Sequence, residues 1–292
     1  MGSVRTGVML AYPIDEKRMS KLPNIVLIQR KLNGERARIE WHNDKPVIFS
    51  SCGNEMPFFR SFKEELIKAK LHNIPFDGEF YKHGLSREEI HSICSRRTNP
   101  SIREDELSLH IFDIISDTMT QHWRDNYLYS ILPKYLKFSK YVETTLIPKE
   151  RILLYTDKFI KEGYEGIIIR VPSALYTPRK CNFLLKFKPT SKDTYTIVGF
   201  QEEVDKDGWK KDRLGSVQVQ DADGNIFSVG TGNALDDIGR EFWWRPENRN
   251  RLKNCVAHVK HSTIKTINNL PTCTSLLKIE IIDKEQWDGN EN

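Results

Sequence analysis

No apolar run in this 292-residue chain approaches the roughly eighteen residues that a helix needs to cross a bilayer. The first ten residues, MGSVRTGVML, carry neither an apolar segment nor a small-residue cleavage site. No membrane insertion and no secretion are predicted, and an intracellular home is expected, whether in a cytoplasm or from a virus or phage. Cysteine is scarce: Cys52, Cys94, Cys181, Cys255 and Cys273 are an odd number, lie far apart and form no C-x-x-C pair, which argues against both a disulfide framework and a zinc site. The eight histidines include no H-x-x-x-H and are read as structural or surface residues. With no repeat, low-complexity tract or heptad pattern, the chain is expected to be compact throughout.

At 38% hydrophobic and 29% charged, the chain can build one large domain or two modest ones. Its net charge of +5 is unevenly spread. Residues 1–189 hold 31 basic and 23 acidic side chains, about +8, whereas residues 190–292 hold 14 and 17, about −3. A phosphate-binding surface should therefore lie on the first part. The polar stretch Pro189-Thr190-Ser191-Lys192-Asp193 punctuates the chain between two strand-like runs, so domains are expected at 1–189 and 190–292, with a hinge between them.

Upstream of that boundary, strand-like and helical runs alternate irregularly. Ile25 to Gln29 and Arg36 to Trp41 flank Asn33-Gly34, a pair suited to a tight hairpin. Helices are predicted over Arg60–Leu71, from the capping box Ser86-x-x-Glu89 to about Arg97, and over Lys149–Lys161 with a stop at Gly163. Strands are predicted at Leu109–Ile115, Gly166–Val171 and Phe183–Lys188, giving an α+β domain with mostly antiparallel sheets. Downstream, Ser216–Gln220 turns at Asp223-Gly224 into Ile226–Val229, a hairpin of a small all-β domain that suits an OB-fold or a sandwich.

The chemistry is concentrated in short segments that follow one another in order. Lys31-Leu32-Asn33-Gly34-Glu35-Arg36 comes first. In Phe76-Asp77-Gly78-Glu79-Phe80 the two carboxylates share a strand face, where they repel unless a cation lies between them. Phe112-Asp113 sets an aromatic beside an acid, with Asp113 read as supporting its strand. Glu165-Gly166 opens another strand, and Lys186 and Lys188 place two ammonium groups on one side of a last one.

These segments resemble the covalent nucleotidyltransferase superfamily of ATP-dependent DNA ligases and mRNA capping enzymes, and most closely a minimal two-domain ATP-dependent DNA ligase. The likeness runs from Met9 to Gly232, including Val229-Gly230-Thr231-Gly232, and fades over the last fifty residues. It implies an ATP-grasp-like nucleotidyltransferase domain of antiparallel sheets with flanking helices, followed by an OB-fold. It also implies ATP and Mg²⁺ as cofactors, and a monomer that seals 5′-phosphate/3′-hydroxyl nicks in double-stranded DNA. Lys31 would attack the α-phosphate and take AMP, which then moves to the 5′-phosphate before the 3′-hydroxyl displaces it. A lysine is a nucleophile only when neutral, a form that neighbouring cations favour. Lys186 and Lys188 would serve as catalytic and nucleotide-binding cations, with Asn33 beside the nucleophile. By the same resemblance Gln29 contacts adenine, Phe112 stacks on it, and Arg36 with Glu79 holds the ribose. Asp77, Glu79 and Glu165 form the metal set.

The sequence departs from the family in three places. Position 33 is Asn where Asp is usual. Ser50-Ser51-Cys52-Gly53 lacks an arginine, for which Arg87, Arg96 or Arg97 are candidate substitutes. The last motif reads Ile281-Ile282-Asp283-Lys284 without its arginine, so the first step is expected to be slow unless Lys284 or Lys278 substitutes. The alternatives are an RNA ligase, a capping-type nucleotidyltransferase, or a non-catalytic nucleic-acid clamp of the same fold. Phe242-Trp243-Trp244 is read as packing, and Lys206, Lys210, Lys211 and Arg213 as a charge-balanced loop.

Overall fold

A computed structural model describes residues 7–205, 207–262, 270, 271 and 274–282. The chain divides into two compact units, Met1–Lys188 and Pro189–Asn292. The first contains β1 (Leu10–Pro13), α1 (Glu16–Ser20), β2 (Ile25–Lys31), β3 (Glu35–His42), β4 (Lys45–Ser50), α2 (Arg60–Lys68), β5 (Phe76–Tyr81) and α3 (Arg87–Cys94). It continues with β6 (Ser108–Ile114), α4 (Gln121–Ile131), β7 (Ser139–Tyr141), β8 (Thr144–Pro148), α5 (Ile152–Lys161), β9 (Gly166–Arg170) and β10 (Lys180–Phe187). It is an α+β unit.

Its strands form two five-stranded sheets, ordered β1-β10-β9-β2-β8 and β4-β3-β5-β6-β7. The β1–β10 and β6–β7 pairs are parallel and the others antiparallel. The predicted helices form close to their expected bounds because the local signals are complete. At α3 the Ser86 side chain accepts from the Glu89 N–H while the Glu89 side chain accepts from the Ser86 N–H. Beyond α5, Gly163 takes φ +85°, where a side chain would be strained.

The expected hairpin across Asn33-Gly34 does not form. Strands β2 and β3 lie in different sheets, and Gly34 does not adopt a positive φ. Glycine is needed there for another reason: a Cβ at Gly34 would sit 2.1 Å from the Phe80 carbonyl oxygen, so only a bare backbone can pass β5 this closely. The hairpin partner of β3 is β4. Its two-residue turn is Asn43-Asp44, with φ +49° and +57°, the left-handed pair of a type I′ turn.

The second unit contains β11 (Thr190–Val204), β12 (Lys210–Gln220), β13 (Ile226–Gly230), α6 (Asp237–Trp244), α7 (Pro246–Arg249), β14 (Cys255–Ser262) and β15 (Ser275–Ile281). Its sheet runs β13-β12-β11-β14-β15, antiparallel throughout. The β12–β13 hairpin pairs Gln220 with Ile226, as the Asp223-Gly224 turn requires. Ile197, Val217, Val219, Val229, Ala257 and Val259 fill its core, and Trp243 and Trp244 pack against it from α6. The units divide between Lys188 and Pro189, at the polar stretch expected to separate them, and Thr190 to Asp193 already pair with β14 as the start of β11. Lys206, Cys273, Asp283 and Lys284 lie outside the described residues. Among the described residues no helix is long and apolar enough to cross a membrane.

Candidate active site

Lys31 is the last residue of β2 and pairs with Gly166, the first residue of β9. A Cβ at Gly166 would lie 2.2 Å from the Phe187 carbonyl oxygen, so a glycine here lets β9 and β10 close together. The residue before it, Glu165, donates its backbone N–H to the Lys31 carbonyl at 3.1 Å. Its side chain lies between two ammonium groups: one oxygen accepts from Lys31 Nζ and the other from Lys188 Nζ at 2.8 Å. The Lys31 side chain is only 18% exposed. Burial alone would raise the Glu165 carboxyl, but Lys31 and Lys188 overcome it and hold the group below the usual carboxylate range. Lys186 lies on β10 and pairs across to Ile168, two residues before Lys188, which follows the end of the strand.

The other sheet contributes Glu79, whose Oε1 accepts from the Gly34 N–H at 2.6 Å. Burial raises this carboxyl, and neighbouring Glu165 adds to the rise, against the pull of Lys31, the Gly34 N–H and Arg36. Two carboxylates of opposite tendency thus face one lysine. Asn33 lies in the segment between β2 and β3, immediately before the glycine that binds Glu79.

Asp77, put forward as a metal ligand, is held by the guanidinium of Arg36. Its Nε donates to Asp77 Oδ1 at 2.6 Å and its Nη2 to Oδ2. Tyr176 Oη donates to the same Oδ2 at 2.6 Å, and Asp77 is 1% exposed, so both oxygens are committed and closed off. Burial opposes the charge on Arg36, but Asp77 raises its pKa well beyond the ordinary value. Among the described residues, no three of His, Cys, Asp and Glu converge as a ready metal cage.

Gln29 and Phe112 are also held differently from expectation. Gln29 is buried, with Nε2 donating to the Phe112 carbonyl at 3.0 Å and to Thr144 Oγ1 at 2.9 Å, while Oε1 accepts from Arg170 Nε at 2.7 Å. Its amide braces the backbone of Phe112. The Phe112 ring is almost buried, and the Arg36 guanidinium lies over it at 4.7 Å from the centroid. Arg36 therefore links Asp77 to the ring.

Beneath Phe112 is a network that the sequence only half indicated. Asp113 accepts from Arg124 Nε and from Arg170 Nη1, both at 2.7 Å, and all three side chains are buried. Gln121 Oε1 accepts from both arginines as well. Asp113 does support its strand, as expected, but Arg124, Arg170 and Tyr176 were missed, because an arginine ordinarily indicates surface and a lone tyrosine between elements indicates little. Of the arginines put forward as phosphate ligands, Arg96 and Arg97 form side-chain hydrogen bonds to the backbone at the end of α3, and both are exposed. In the second unit, Lys278 pairs with Glu280, and Lys211 and Arg213 pair with Glu203.

Comparison with known proteins agrees with this geometry. The family model described as the ATP dependent DNA ligase domain matches residues 8–188. A DNA ligase of African swine fever virus (isolate Warthog/Namibia/Wart80/1980) is 30% identical over 190 residues, covering 60% of this chain and 44% of the viral protein. A DNA ligase of Methanococcus aeolicus is 24% identical over 279 residues, 88% of this chain and 47% of the relative. The chain thus spans about half the length of these curated relatives. Among solved structures, a Lig E DNA ligase superposes with TM-score 0.70 at 21% identity, covering 94% of this chain and 99% of that one. The bacteriophage T7 ATP-dependent DNA ligase superposes with TM-score 0.55 at 12% identity, covering 94% and 98%. With more than half of its length matched by the family model, the chain belongs to the ATP-dependent DNA ligase family.

Proposed function

We propose that the chain is an ATP-dependent DNA ligase that seals 5′-phosphate/3′-hydroxyl nicks through a lysyl-AMP at Lys31. The observation that carries this reading is the Lys31–Glu165–Lys188 cluster, with Glu79 across from it. The Lys31 nitrogen donates its lone pair to the α-phosphorus of ATP, the new P–N bond forms, and the P–O bond to pyrophosphate breaks with its electrons leaving on oxygen. Glu165, already hydrogen-bonded to Nζ, is placed to take up a proton from the amine. Lys186 on the strand beside it and Lys188 just past that strand's end stabilise charge on the phosphate oxygens. Arg36, pinned by Asp77 and Tyr176, offers a fixed guanidinium to the nucleotide from above Phe112.

Glu79 and Glu165 fit Mg²⁺, an ion that binds through one or two carboxylates plus phosphate oxygens and keeps several waters. When bound, it supplies Lewis-acid neutralisation of the phosphates. Asp77 is left out of that set because Arg36 and Tyr176 occupy it. In this reading Met1–Lys188 is the nucleotidyltransferase domain and Pro189–Asn292 an OB-fold. The five antiparallel strands of the second unit, with α6 and α7 inserted between β13 and β14, support that assignment. The partner is nicked duplex DNA, held mainly through phosphate contacts.

Intact-mass measurement after incubation with ATP and Mg²⁺ tests the proposal. One AMP added to the wild-type chain, none to Lys31→Ala, and transfer to nicked DNA rather than RNA ends are expected. AMP addition that persists in Lys31→Ala, or loading from GTP alone, rejects it.

A further inference from the structure

On the face of β2 opposite Lys31 there is a second cleft of about 510 Å³, wholly within the first unit. Side chains alternate along a strand, so while Lys31 turns to Glu165, its neighbours Arg30 and Leu32 line this other space. The cleft is nonetheless connected to the candidate active site by one cross-strand row. Arg36 pairs with Glu79, Glu79 with His110, and His110 with Lys140, so four adjacent strands carry these side chains on one face. His110 and Lys140 line the cleft and Glu79 faces Lys31.

The lining chemistry is specific. One wall is aromatic: Tyr81 and His110 meet edge to face at 5.3 Å between centroids, and His83 and Tyr164 stand 5.2 Å apart. Tyr81 is buried behind this wall, while His83 is exposed and Tyr164 and His110 are half-buried, and flat rings left open in this way accept a nucleobase on their faces. The cationic lining comes from Arg30, Lys82 and Lys140 against one lining carboxylate, Glu143. Arg30 is already taken up by Glu143 and by Glu162, each at 2.9 Å, which leaves Lys82 and Lys140 as the cations for an anionic ligand. Burial and Lys140 push His110 down to about 4, so near neutral pH its ring is uncharged. A volume near 500 Å³ is ample for one small-molecule-sized unit.

We propose that this cleft binds one nucleotide unit, its base against the His83–Tyr164 wall and its phosphate on Lys82 and Lys140. The inference stands on the lining and not on adenylylation at Lys31, so either can fail alone. A free nucleotide and the unpaired end of a strand share this chemistry, and two probes separate them.

Fluorescence anisotropy with a labelled 5′-phosphorylated thymidine dinucleotide, with AMP as unlabelled competitor, is measured on the full chain. Variants Lys82→Glu, Lys140→Gln and Lys31→Ala are compared with wild type. Lys82 lies at an exposed position, so its variant is expected to fold, and Lys82→Arg serves as the charge-conserving control. The expected result is a loss of about tenfold or more in affinity for Lys82→Glu and Lys140→Gln, with Lys31→Ala and Lys82→Arg near wild type. Competition by AMP identifies a free nucleotide as the occupant, and binding of the dinucleotide without competition by AMP identifies a strand end; both support the proposal. Equal binding by wild type and Lys82→Glu, loss of binding in Lys31→Ala as large as in Lys82→Glu, or no binding at all overturns it.

Discussion

The two units bury different things. The first encloses charge: Asp77, Asp113, Asp125, Glu165, Arg124 and Arg170 are all shielded from water. Among the described residues of the second, no Asp, Glu, Lys or Arg is buried, and its densest charge cluster, Glu203 with Lys211, Arg213 and Arg240, lies outside the apolar core. Desolvating an ion costs several kcal/mol, which the fold offsets only when the partner geometry is good. The first unit bears that cost around Phe112 and Lys31, where fixed charges can act on a phosphate without being screened. The second unit keeps a plain apolar core under its sheet and leaves its ions in contact with water.

The contrast is broken most severely at Asp113. Asp113→Ala removes the carboxylate that both Arg124 and Arg170 bond, leaving Asp125 as a nearby acid for Arg170 alone, so a loss of about 3–5 kcal/mol is expected in urea unfolding. Hydrogen exchange resolved by peptide should place the loosening in residues 7–188. A loss under about 1 kcal/mol would mean that Gln121 and the neighbouring carbonyls suffice, and that the buried charge is not supported by this aspartate.

A smaller effect, and one that sharpens the comparison, is the pH dependence of the two carboxylates at Lys31. Glu165 is depressed in the folded state, so the stability it contributes is present above the unfolded value of about 4.3 and is lost as pH falls through the folded value. Glu79 is raised, so stability falls as pH rises from about 4.3 through its folded value. Relative to wild type, Glu165→Gln should therefore be destabilising near neutrality and level with it in acid, whereas Glu79→Gln should be stabilising near neutrality and not in acid. Denaturant midpoints measured across the acid range check this, and shifts of the same sign in both variants would contradict it.

The smallest effect is expected in the second unit. Glu203 is lowered to about 2 by its hydrogen bonds to Arg213, Lys211 and Arg240, yet this half-buried cluster lies outside the apolar core where salt still reaches it, so it is worth little once screened. Glu203→Gln should cost no more than about 1 kcal/mol, and the difference should shrink in about 0.5 M salt. A cost equal to that of Asp113→Ala would erase the distinction between the units.

How much of this was legible beforehand depended on whether the signal was local. The α3 capping box and the Asp223-Gly224 hairpin were readable because every group they need lies within a few residues. The order of motifs from Lys31 to Lys188 named most of the charged groups that converge, and the family match supports the resemblance they carried. Asn33-Gly34 misled because the same dipeptide serves a tight turn and a close crossing, and only the position of Phe80 decides between them. The true turn, Asn43-Asp44, contains no glycine and so gave a weak signal. Tyr176, Arg124 and Arg170 were out of reach, since their partners Asp77 and Asp113 lie 99, 11 and 57 positions away in the chain. For Asp77 the need for a cation was legible, but not its pairing with Arg36.

Lys31 and Glu165 are joined twice, once through main-chain atoms and once through side-chain tips, closing a small loop across β2 and β9. Because alternate residues of a strand face opposite ways, inserting or deleting a single residue in either strand would turn one member of the pair to the far side. Length variation in this scaffold is therefore confined to places such as the Asn43-Asp44 and Asp223-Gly224 turns, where an engineer can graft a peptide without touching the amine. Between Ile25 and Lys31, or between Glu165 and Arg170, even one extra amino acid would disconnect Lys31 from Glu165 while leaving both in the sequence.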